Sequence, residues 1–271
     1  MRFETVELSP RIGTEIRAGK TDLLKGGLRE EIRDLLEQRG ILLFRGLGLT
    51  EEEQLEFSST IGEVFDQGEK GIFRVTLDRS ITPQADYLEA TTFWHIDGAH
   101  DRVPTRASVL TARVLTDDGG RWTEFANTYA AYEDLPLEKK QWAETQRVVH
   151  SQVYLQSAHY KSPTPEMAAH WRTHSEQIHP LVWKHRSGRK SLLLGHTAGR
   201  ILGMSDDDSR RALGELLEWA SQPRFVYRHH WTVGDMIIWD NTGVMHRVEP
   251  YRADSGRLLS RTTLVGEEPV M

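Results

Sequence analysis

Two residues in the first half of the chain have the type and spacing of metal ligands. His95 and Asp97 are separated by one residue, and in an extended strand the side chains at i and i+2 project from the same face. Both could therefore reach one cation, whereas Ile96 would turn into the core. His246 would complete a set of two histidines and one carboxylate, which leaves three coordination positions open on an iron(II) ion.

The His-x-Asp pair is weak evidence by itself, because the chain contains 12 histidines. His174 and Glu176 form a comparable pair, and His170 and His174 have the i, i+4 spacing of zinc ligands on a helix. Trp171, however, stands where a zinc protease has the glutamate that follows its first histidine. We therefore expect His170 and His174 to be ordinary surface or packing residues of the helix after Pro165.

Two arginines downstream strengthen the metal hypothesis. Arg257 and Arg261 follow His246, and their even spacing would place both on one face of a strand. A guanidinium fits a carboxylate with two parallel hydrogen bonds. The pair is therefore suited to a small dicarboxylate whose other end chelates the metal. For either arginine taken alone, a partner in a surface salt bridge would be the favoured interpretation.

The composition excludes several other classes of protein and site. The 271 residues include no cysteine, so disulfides and thiolate metal sites are impossible. The net charge of −6 is spread along the chain without a basic run, which argues against a nucleic-acid partner. The apolar runs are too short to span a membrane, and residues 1–13 lack the apolar segment of a signal peptide. We expect a cytoplasmic enzyme.

The pattern of apolar residues predicts helices and many short strands. Helices are expected over residues 27–39, after the capping box of Thr50 and Glu53, and after a similar start at Ser205 and Asp208. Strands are predicted at residues 41–44, 108–114, 225–231, 235–239, 244–248 and 258–265. Residues 240–243 and 254–256 have the composition of turns. This pattern favours a mainly β fold with flanking helices, an antiparallel sandwich or jelly roll.

Several short motifs occur together in a fixed order. They are Trp94-His95-Ile96-Asp97, Gly119-Gly120 followed by Thr123-Glu124-Phe125, Gly234-Asp235 with Trp239-Asp240-Asn241, Met245-His246-Arg247, and Gly256-Arg257 through Arg261-Thr262-Thr263. Over most of its length the chain thereby resembles the taurine dioxygenase/TfdA family of iron(II)- and 2-oxoglutarate-dependent oxygenases.

The resemblance implies a fold, a reaction and a set of site residues. The fold would be a double-stranded β-helix, a cupin-like jelly roll, in one catalytic domain over residues 1–271, with a helical lid insert at roughly residues 125–225. His95, Asp97 and His246 would be the iron ligands. Arg257 and Thr123 would bind the distal carboxylate of 2-oxoglutarate, and Arg261 would lie near its metal-proximal carboxylate or the substrate. With O2 as second cosubstrate, a small organic substrate would be hydroxylated, or cleaved after hydroxylation, with release of succinate and CO2. A homodimer or homotetramer is expected.

The chain departs from the family pattern at three places. Both Arg121 and Trp122 precede Thr123, which is one residue more than the pattern has and leaves a register one residue away open. Residues 65–71 contain no histidine, whereas members that bind sulfonates have one there, and Thr91 replaces a family asparagine. Taurine is therefore not favoured as the substrate. Tyr87, Thr91 and Gly98 are the candidate substrate contacts, although Tyr87 could equally belong to the core.

Three further hypotheses remain open at this level. Asp240 and Asn241 could accept the second N–H of a metal-bound histidine, or could form a plain turn. A zinc-type hydrolase that uses a His/Asp site and activated water would explain the three ligands but not the arginine pair. A non-catalytic metal- or ligand-binding β-barrel module would bind iron without consuming 2-oxoglutarate.

Overall fold

Two β-sheets form the centre of the protein in the computed structural model, which describes residues 3–83, 85–117 and 119–271. The strands are β1 (Glu4–Glu7), β2 (Thr14–Arg17), β3 (Ile41–Phe44), β4 (Phe73–Val75), β5 (Ala107–Val114), β6 (Trp122–Asn127), β7 (Arg147–Ser151), β8 (Glu176–Pro180), β9 (Val182–Lys184), β10 (Lys190–Leu192), β11 (Ala198–Ile201), β12 (Val226–His230), β13 (Met236–Asp240), β14 (Val244–Val248) and β15 (Leu258–Leu264). The larger sheet has the order β1-β2-β3-β13-β5-β15-β4, and the smaller one the order β12-β6-β14. Among the described pairs, only β2 and β3 run parallel.

Helices cover the outer face of the larger sheet and fill the segment between β6 and β12. They are α1 (Lys20–Leu24), α2 (Arg29–Arg39), α3 (Glu51–Ile61), α4 (Ala85–Glu89), α5 (Thr128–Glu133), α6 (Leu137–Ala143), α7 (Gln152–His159), α8 (Pro165–Trp171) and α9 (Asp206–Ala220). Within the described residues, none of these helices has both the length and the apolar character needed to cross a bilayer.

The strand β3 shows how the sequence builds the layers. Its four residues are all buried, because alternate side chains point to opposite faces and both faces are covered. Ile41 and Leu43 pack against Phe125 of the smaller sheet, whereas Leu42 and Phe44 pack in a cluster with Phe57 of α3. The uninterrupted apolar run is therefore the pattern of a strand between two layers.

The segment between β6 and β12 shares one apolar cluster with Ala126 of β6 and Met245 of β14. It contains helices α5 to α9 and the strands β7 to β11, which form two small sheets with the orders β11-β7-β8 and β10-β9. The sequence predicted helices here but not these strands. Ile96 belongs to the apolar cluster of this segment and is 1% exposed, so the expectation that it turns into the core is confirmed.

Most of the predicted core elements are present with small shifts at their ends. The predicted strands at residues 41–44 and 244–248 match β3 and β14 in full. The capping box at Thr50 is formed, with the threonine side chain accepting from Glu53 N and the Glu53 side chain accepting from Thr50 N, and Ser205 caps α9. The mainly β core with flanking helices is confirmed. The expected strand through His95 and Asp97 is wrong.

Candidate metal and cosubstrate site

His95 and His246 are placed side by side by an isolated backbone bridge. His95 N donates to His246 O at 3.1 Å and His246 N donates to His95 O at 2.9 Å, so the two ring centroids lie 4.1 Å apart. Asp97 follows in a turn rather than in a strand, and its Oδ1 lies 3.8 Å from Nε2 of each histidine. One ligand atom from each of the three residues falls within 4.8 Å of the others.

Two glycines allow the backbone path that the ligands need. Gly98 has φ +73°, and a Cβ there would lie 2.9 Å from Thr105 N, so the turn after Asp97 favours glycine. Gly195, from the segment between β6 and β12, has φ +111° and approaches so closely that a Cβ would lie 2.9 Å from the Cα of His95. The third ligand, His246, lies on β14 at the centre of its pairing with β6.

The protonation states of both histidines suit metal binding. Burial lowers the pKa of His95 and lowers the pKa of His246 further, so both imidazoles are neutral near pH 7. Nδ1 of His95 lies 2.8 Å from the carbonyl oxygen of Phe93; since a carbonyl only accepts, Nδ1 carries the proton. Nε2 is then the bare nitrogen and faces Asp97, as a ligand atom must.

Asp97 is held as a carboxylate with one oxygen occupied and one available. Burial opposes its ionisation, but the neighbouring guanidinium of Arg261, with the two histidines, holds the pKa of this carboxyl well below its usual range. Oδ2 accepts from Ser108 Oγ at 3.0 Å and from Arg261 Nη1 at 3.3 Å. Oδ1 is therefore the atom that turns toward the two imidazoles.

Asn241 supports this carboxylate through Ser108. Its Nδ2 donates to Ser108 Oγ at 3.0 Å, and its Oδ1 accepts from Trp239 Nε1 at 2.8 Å. Asn241 therefore supports the metal residues, as the sequence suggested, but through the aspartate rather than by accepting from a metal histidine. Asp240 pairs with Arg106 at 2.6 Å, and the buried Nδ1 of His246 has no hydrogen-bond partner among the described residues.

The donor set fits iron(II). Two neutral imidazole nitrogens and one carboxylate oxygen converge from one side, and residues of this set line two cavities. Three protein ligands with open positions is the arrangement that non-haem iron(II) oxygenases use.

Arg257 lies in the wall of the smaller of the two cavities. The guanidinium is 1% exposed, donates from Nε to Gly120 O at 2.8 Å and packs over the Tyr251 ring at 4.5 Å. It has no ion pair among the described residues, and its buried Nη1 has no hydrogen-bond partner there. His95, His246, Thr123 and Arg261 line the same cavity. A buried cation without an anion, facing a metal site, is suited to a carboxylate ligand.

Thr123 contributes a hydroxyl to this cavity. Its Oγ1 accepts from Trp231 Nε1 at 2.9 Å, so the hydroxyl proton remains available for a ligand. Trp122 does not line the cavity; its ring lies under the guanidinium of Arg228 at 4.5 Å. The sequence left open whether the cavity threonine is Thr123 or whether a residue one position away takes its place. In the structure Thr123 lines the same cavity as Arg257.

The larger cavity, of about 470 Å³, opens on the other side of the metal residues. Tyr87, Thr91 and Gly98, the three candidate substrate contacts, all line it. Sequence reasoning missed other lining residues, which come from distant elements: Phe73, His100, Gln152, Leu155 and Thr197. No local spacing links these positions to the metal motif.

His170 and His174 also line the larger cavity, although the sequence predicted ordinary surface or packing residues. The predicted helical pair is absent, because α8 ends at Trp171 and His174 lies in the bend before β8. The ring of His174 contacts Tyr87, with centroids 5.0 Å apart. His170 is exposed, as expected of a surface residue, and His174 is half-buried. Their position at the cavity was not indicated by their spacing in the sequence.

Comparison with known proteins accounts for this arrangement. The family model described as "Taurine catabolism dioxygenase TauD, TfdA family" matches residues 4–263. The chain belongs to this family. It is 34% identical to the alpha-ketoglutarate-dependent 2,4-dichlorophenoxyacetate dioxygenase of Burkholderia sp. (strain RASC), over 90% of this chain and 89% of that protein. It is 31% identical to the alpha-ketoglutarate-dependent sulfate ester dioxygenase of Pseudomonas putida, over 100% of this chain and 92% of that protein.

Solved structures agree with the fold. The crystal structure of AAD-2 in complex with Mn(II) and N-oxalylglycine superposes with a TM-score of 0.88 at 29% identity and covers 99% of each chain. A protein described as a putative alpha-ketoglutarate-dependent taurine dioxygenase from Burkholderia xenovorans superposes with a TM-score of 0.79 at 28% identity, over 99% of this chain and 91% of that one. The jelly-roll prediction is confirmed.

These findings establish the class of reaction. The TauD/TfdA member described here is an iron(II)- and 2-oxoglutarate-dependent dioxygenase that acts on a small molecule. The hypotheses of a zinc-type hydrolase and of a non-catalytic β-barrel module have no support from the relatives.

Proposed function

We propose that His95, Asp97 and His246 hold the iron, and that 2-oxoglutarate lies in the smaller cavity with its distal carboxylate on Arg257. The observation that carries this assignment is the buried guanidinium of Arg257, which has no anionic partner within the described residues and lines the same cavity as both histidines. A dicarboxylate supplies that anion while its other end reaches the metal.

Besides Arg257, two polar residues and an apolar wall would contact 2-oxoglutarate in the smaller cavity. Thr123 donates its hydroxyl proton to the carboxylate on Arg257, because its oxygen already accepts from Trp231. Arg261, 3.3 Å from Asp97 Oδ2, lies at the metal end of the cavity. Between these ends the wall is apolar, with Val75, Leu110 and Val248, which excludes water and strengthens the charge–charge contacts.

When bound, iron and 2-oxoglutarate would supply the oxidising chemistry together with O2, one oxygen atom entering succinate as CO2 is released and the other entering the substrate as a hydroxyl group. The protein positions and orients the reactants. Ser108 and Asn241 keep Asp97 from rotating, and the bridge between His95 and His246 sets the distance between the two imidazoles. Tyr87, Thr91 and Gly98 contact the substrate in the larger cavity.

We propose that the substrate is an organic molecule with an apolar body and an oxyanion. Among the described residues, Asp97 is the single carboxylate in the lining of the larger cavity, which mixes apolar residues such as Leu88 and Leu155 with hydrogen-bond donors. The relatives' own names, 2,4-dichlorophenoxyacetate dioxygenase and sulfate ester dioxygenase, describe substrates of this chemistry for those proteins.

The chain is further proposed to work as a single catalytic domain over residues 1–271, with the insert at roughly residues 125–225 as a lid. The support is that this segment contributes Gln152, Leu155, His170 and His174 to the larger cavity. Its small sheets and helices share one apolar cluster with Ile96, next to the ligands.

The test is 2-oxoglutarate turnover. Purified protein with iron(II) should convert 2-oxoglutarate to succinate, His246→Ala should abolish this conversion, and Arg257→Ala should raise the KM for 2-oxoglutarate. An anaerobic titration with 2-oxoglutarate should change the visible spectrum of the iron-loaded wild type. Absence of both turnover and spectral change would refute the site assignment.

The assembly and location expected from the sequence stay predictions. Size-exclusion chromatography with light scattering tests the dimer or tetramer, and cell fractionation tests the cytoplasmic location. Binding assays with DNA and with lipid vesicles test the expectation of neither nucleic-acid nor membrane partners.

A further inference from the structure

Tyr251 contributes a hydroxyl to the wall of the smaller cavity that the assignment of Arg257 and Thr123 leaves unused. The residue follows β14 and lines this cavity together with Arg257 and Thr123. Its ring lies against the Arg257 guanidinium, with 4.5 Å between the ring centroid and Cζ. The hydroxyl oxygen of Tyr251 is buried and has no hydrogen-bond partner within the described residues.

Two contacting residues of this wall therefore each have an unpaired polar atom. Nη1 of Arg257 is likewise buried and without a hydrogen-bond partner in the described part of the chain. Buried polar groups of folded proteins normally have a partner, because an unpaired one is costly. A ligand that accepts hydrogen bonds from both residues at once would satisfy both atoms.

The motif of Gly119 and Gly120 packs against both side chains. An isolated backbone bridge pairs Gly119 with Tyr251. Gly120 has φ +66°, and a Cβ there would lie 2.5 Å from Cδ of Arg257 and 3.0 Å from Cδ1 of Tyr251. Glycine is favoured at this position because it permits both the backbone conformation and the close approach. The motif that the sequence shows before Thr123 thus holds Tyr251 and Arg257 against the same cavity.

A carboxylate can accept all the donors that this wall offers, because its two oxygens have about four acceptor positions. Nε of Arg257 is already used on Gly120 O, which leaves the two terminal nitrogens of the guanidinium for a bidentate pair. The Thr123 hydroxyl can donate once, since its oxygen accepts from Trp231. Burial raises the pKa of Tyr251 against the opposing effect of the Arg257 guanidinium, so the phenol keeps its proton at neutral pH and can donate as well.

We propose that Tyr251 is a third cosubstrate-binding residue, which donates its hydroxyl proton to the distal carboxylate of 2-oxoglutarate alongside Arg257 and Thr123. This inference rests on the proposed function, because it places 2-oxoglutarate in the smaller cavity. The competing interpretation is that only the ring of Tyr251 matters, as a packing surface for the guanidinium. The hydroxyl and the ring can be separated by substitution.

The experiment measures the anaerobic binding of two 2-oxoacids to the iron(II)-loaded full chain, by titration of the visible spectrum. 2-Oxoglutarate carries the distal carboxylate, whereas 2-oxopentanoate has the same chelating end and a methyl group in place of that carboxylate. Tyr251→Phe keeps the ring and loses the hydroxyl. The Kd for 2-oxoglutarate should therefore rise about tenfold or more, as expected for a hydrogen bond to a charged group, and the Kd for 2-oxopentanoate should stay unchanged.

Further variants separate cosubstrate binding from folding. Tyr251→Leu also removes the ring and should weaken 2-oxoglutarate binding at least as much as Tyr251→Phe. The matched control is Tyr132→Phe, because the Tyr132 hydroxyl is paired with Glu144 and the residue does not line the cavity. In urea unfolding without 2-oxoglutarate, Tyr251→Phe should be as stable as wild type or more stable, since its hydroxyl loses no partner. Tyr132→Phe should be less stable and should bind 2-oxoglutarate as wild type does.

Failure of the proposed function and failure of this inference give different results. If wild type does not bind 2-oxoglutarate, the proposed function is wrong. If wild type binds it and Tyr251→Phe binds it with the same Kd, the hydroxyl does not contact the cosubstrate, and a loss confined to Tyr251→Leu would assign the effect to the ring. Equal losses for the two 2-oxoacids in Tyr251→Phe, or unfolding as easy as that of Tyr132→Phe, would show a merely structural role.

Discussion

Replacement of Arg257 by methionine should show whether this buried arginine stabilises the fold or binds the cosubstrate. Methionine has a similar length, but it removes the charge and the donors. The Arg257 residue is 1% exposed, and among the described residues its guanidinium donates from Nε to Gly120 O while its Nη1 has no partner. Removing that bond costs about 1 kcal/mol, whereas removing an uncompensated buried charge returns several kcal/mol. We expect the free energy of unfolding to stay equal or to rise.

Cosubstrate binding should respond in the opposite direction. A bidentate pair of hydrogen bonds to a charged carboxylate contributes about 1.5–3 kcal/mol for each bond, so about 3–6 kcal/mol is lost with both. Since about 1.4 kcal/mol corresponds to a factor of ten, the Kd for 2-oxoglutarate should rise by about two to four orders of magnitude. Arg257→Lys keeps the positive charge but loses the planar guanidinium. Its Kd for 2-oxoglutarate should therefore lie between those of wild type and Arg257→Met.

The assay pairs urea unfolding with anaerobic titration of 2-oxoglutarate on the metal-loaded protein. The matched control is Arg113→Met. The guanidinium of Arg113 donates hydrogen bonds within the protein, to Leu49 O, Gln54 Oε1 and Ser260 Oγ. That variant should lose stability and keep its affinity for 2-oxoglutarate. The reasoning is refuted if Arg257→Met unfolds as easily as the control while binding 2-oxoglutarate like wild type.

Three other perturbations test neighbouring parts of the argument. Ser108→Ala removes the hydroxyl that holds Asp97 and should weaken iron binding by about tenfold or more, measured by competition with a metal chelator. Thr123→Val should raise the Kd for 2-oxoglutarate by about tenfold, whereas Thr111→Val, at a buried hydroxyl without a hydrogen-bond partner among the described residues, should not change it. Burial, with neighbouring histidines, lowers the pKa of His150 to about 3. A group with a lowered folded pKa stabilises the fold above its unfolded pKa of about 6.5 and loses this contribution as pH falls. Between pH 7 and pH 5, wild type should therefore lose about 1–2 kcal/mol more unfolding free energy than His150→Gln; equal slopes in urea titrations would contradict this.

The core elements could be predicted from local sequence patterns, because burial between layers and helix capping each require particular residue types at short spacing. The run at β3 is apolar throughout since two layers cover it, and the cap at Thr50 is a hydrogen-bond pattern within four residues. In contrast, α1 is five residues long and buries only Leu23, so it leaves little periodic signal. The strands β7 to β11 pair within small sheets of three to five residues per strand, where the alternation is too short to separate from a helix or a loop.

The metal residues were predictable by type but not by local geometry. A strand was expected because His95 and Asp97 are two residues apart, yet His95 makes one bridge to His246 and the chain then turns. The convergence therefore depends on β14, about 150 residues downstream, and on Gly98, rather than on strand alternation. Arg257 and Arg261 were a stronger signal, because two guanidinium groups at an even spacing after a candidate metal histidine are suited to a dicarboxylate that chelates the metal.

The meeting of His100, His170 and His174 at the larger cavity could not be predicted from their spacing in the sequence. His170 and His174 have the i, i+4 separation of a helical pair, but α8 ends between them, and their neighbour His100 comes from a turn 70 residues earlier. Their meeting is set by how the segment between β6 and β12 packs over the ligand turn.

Arg261 explains why the two cavities cannot be treated as independent sites. It lines both of them, and its Nη1 holds the oxygen of Asp97 that faces away from the histidines. A ligand that draws this guanidinium toward itself in either cavity therefore also changes the support of the Asp97 carboxylate, so the two cavities and the metal residues are linked through one side chain.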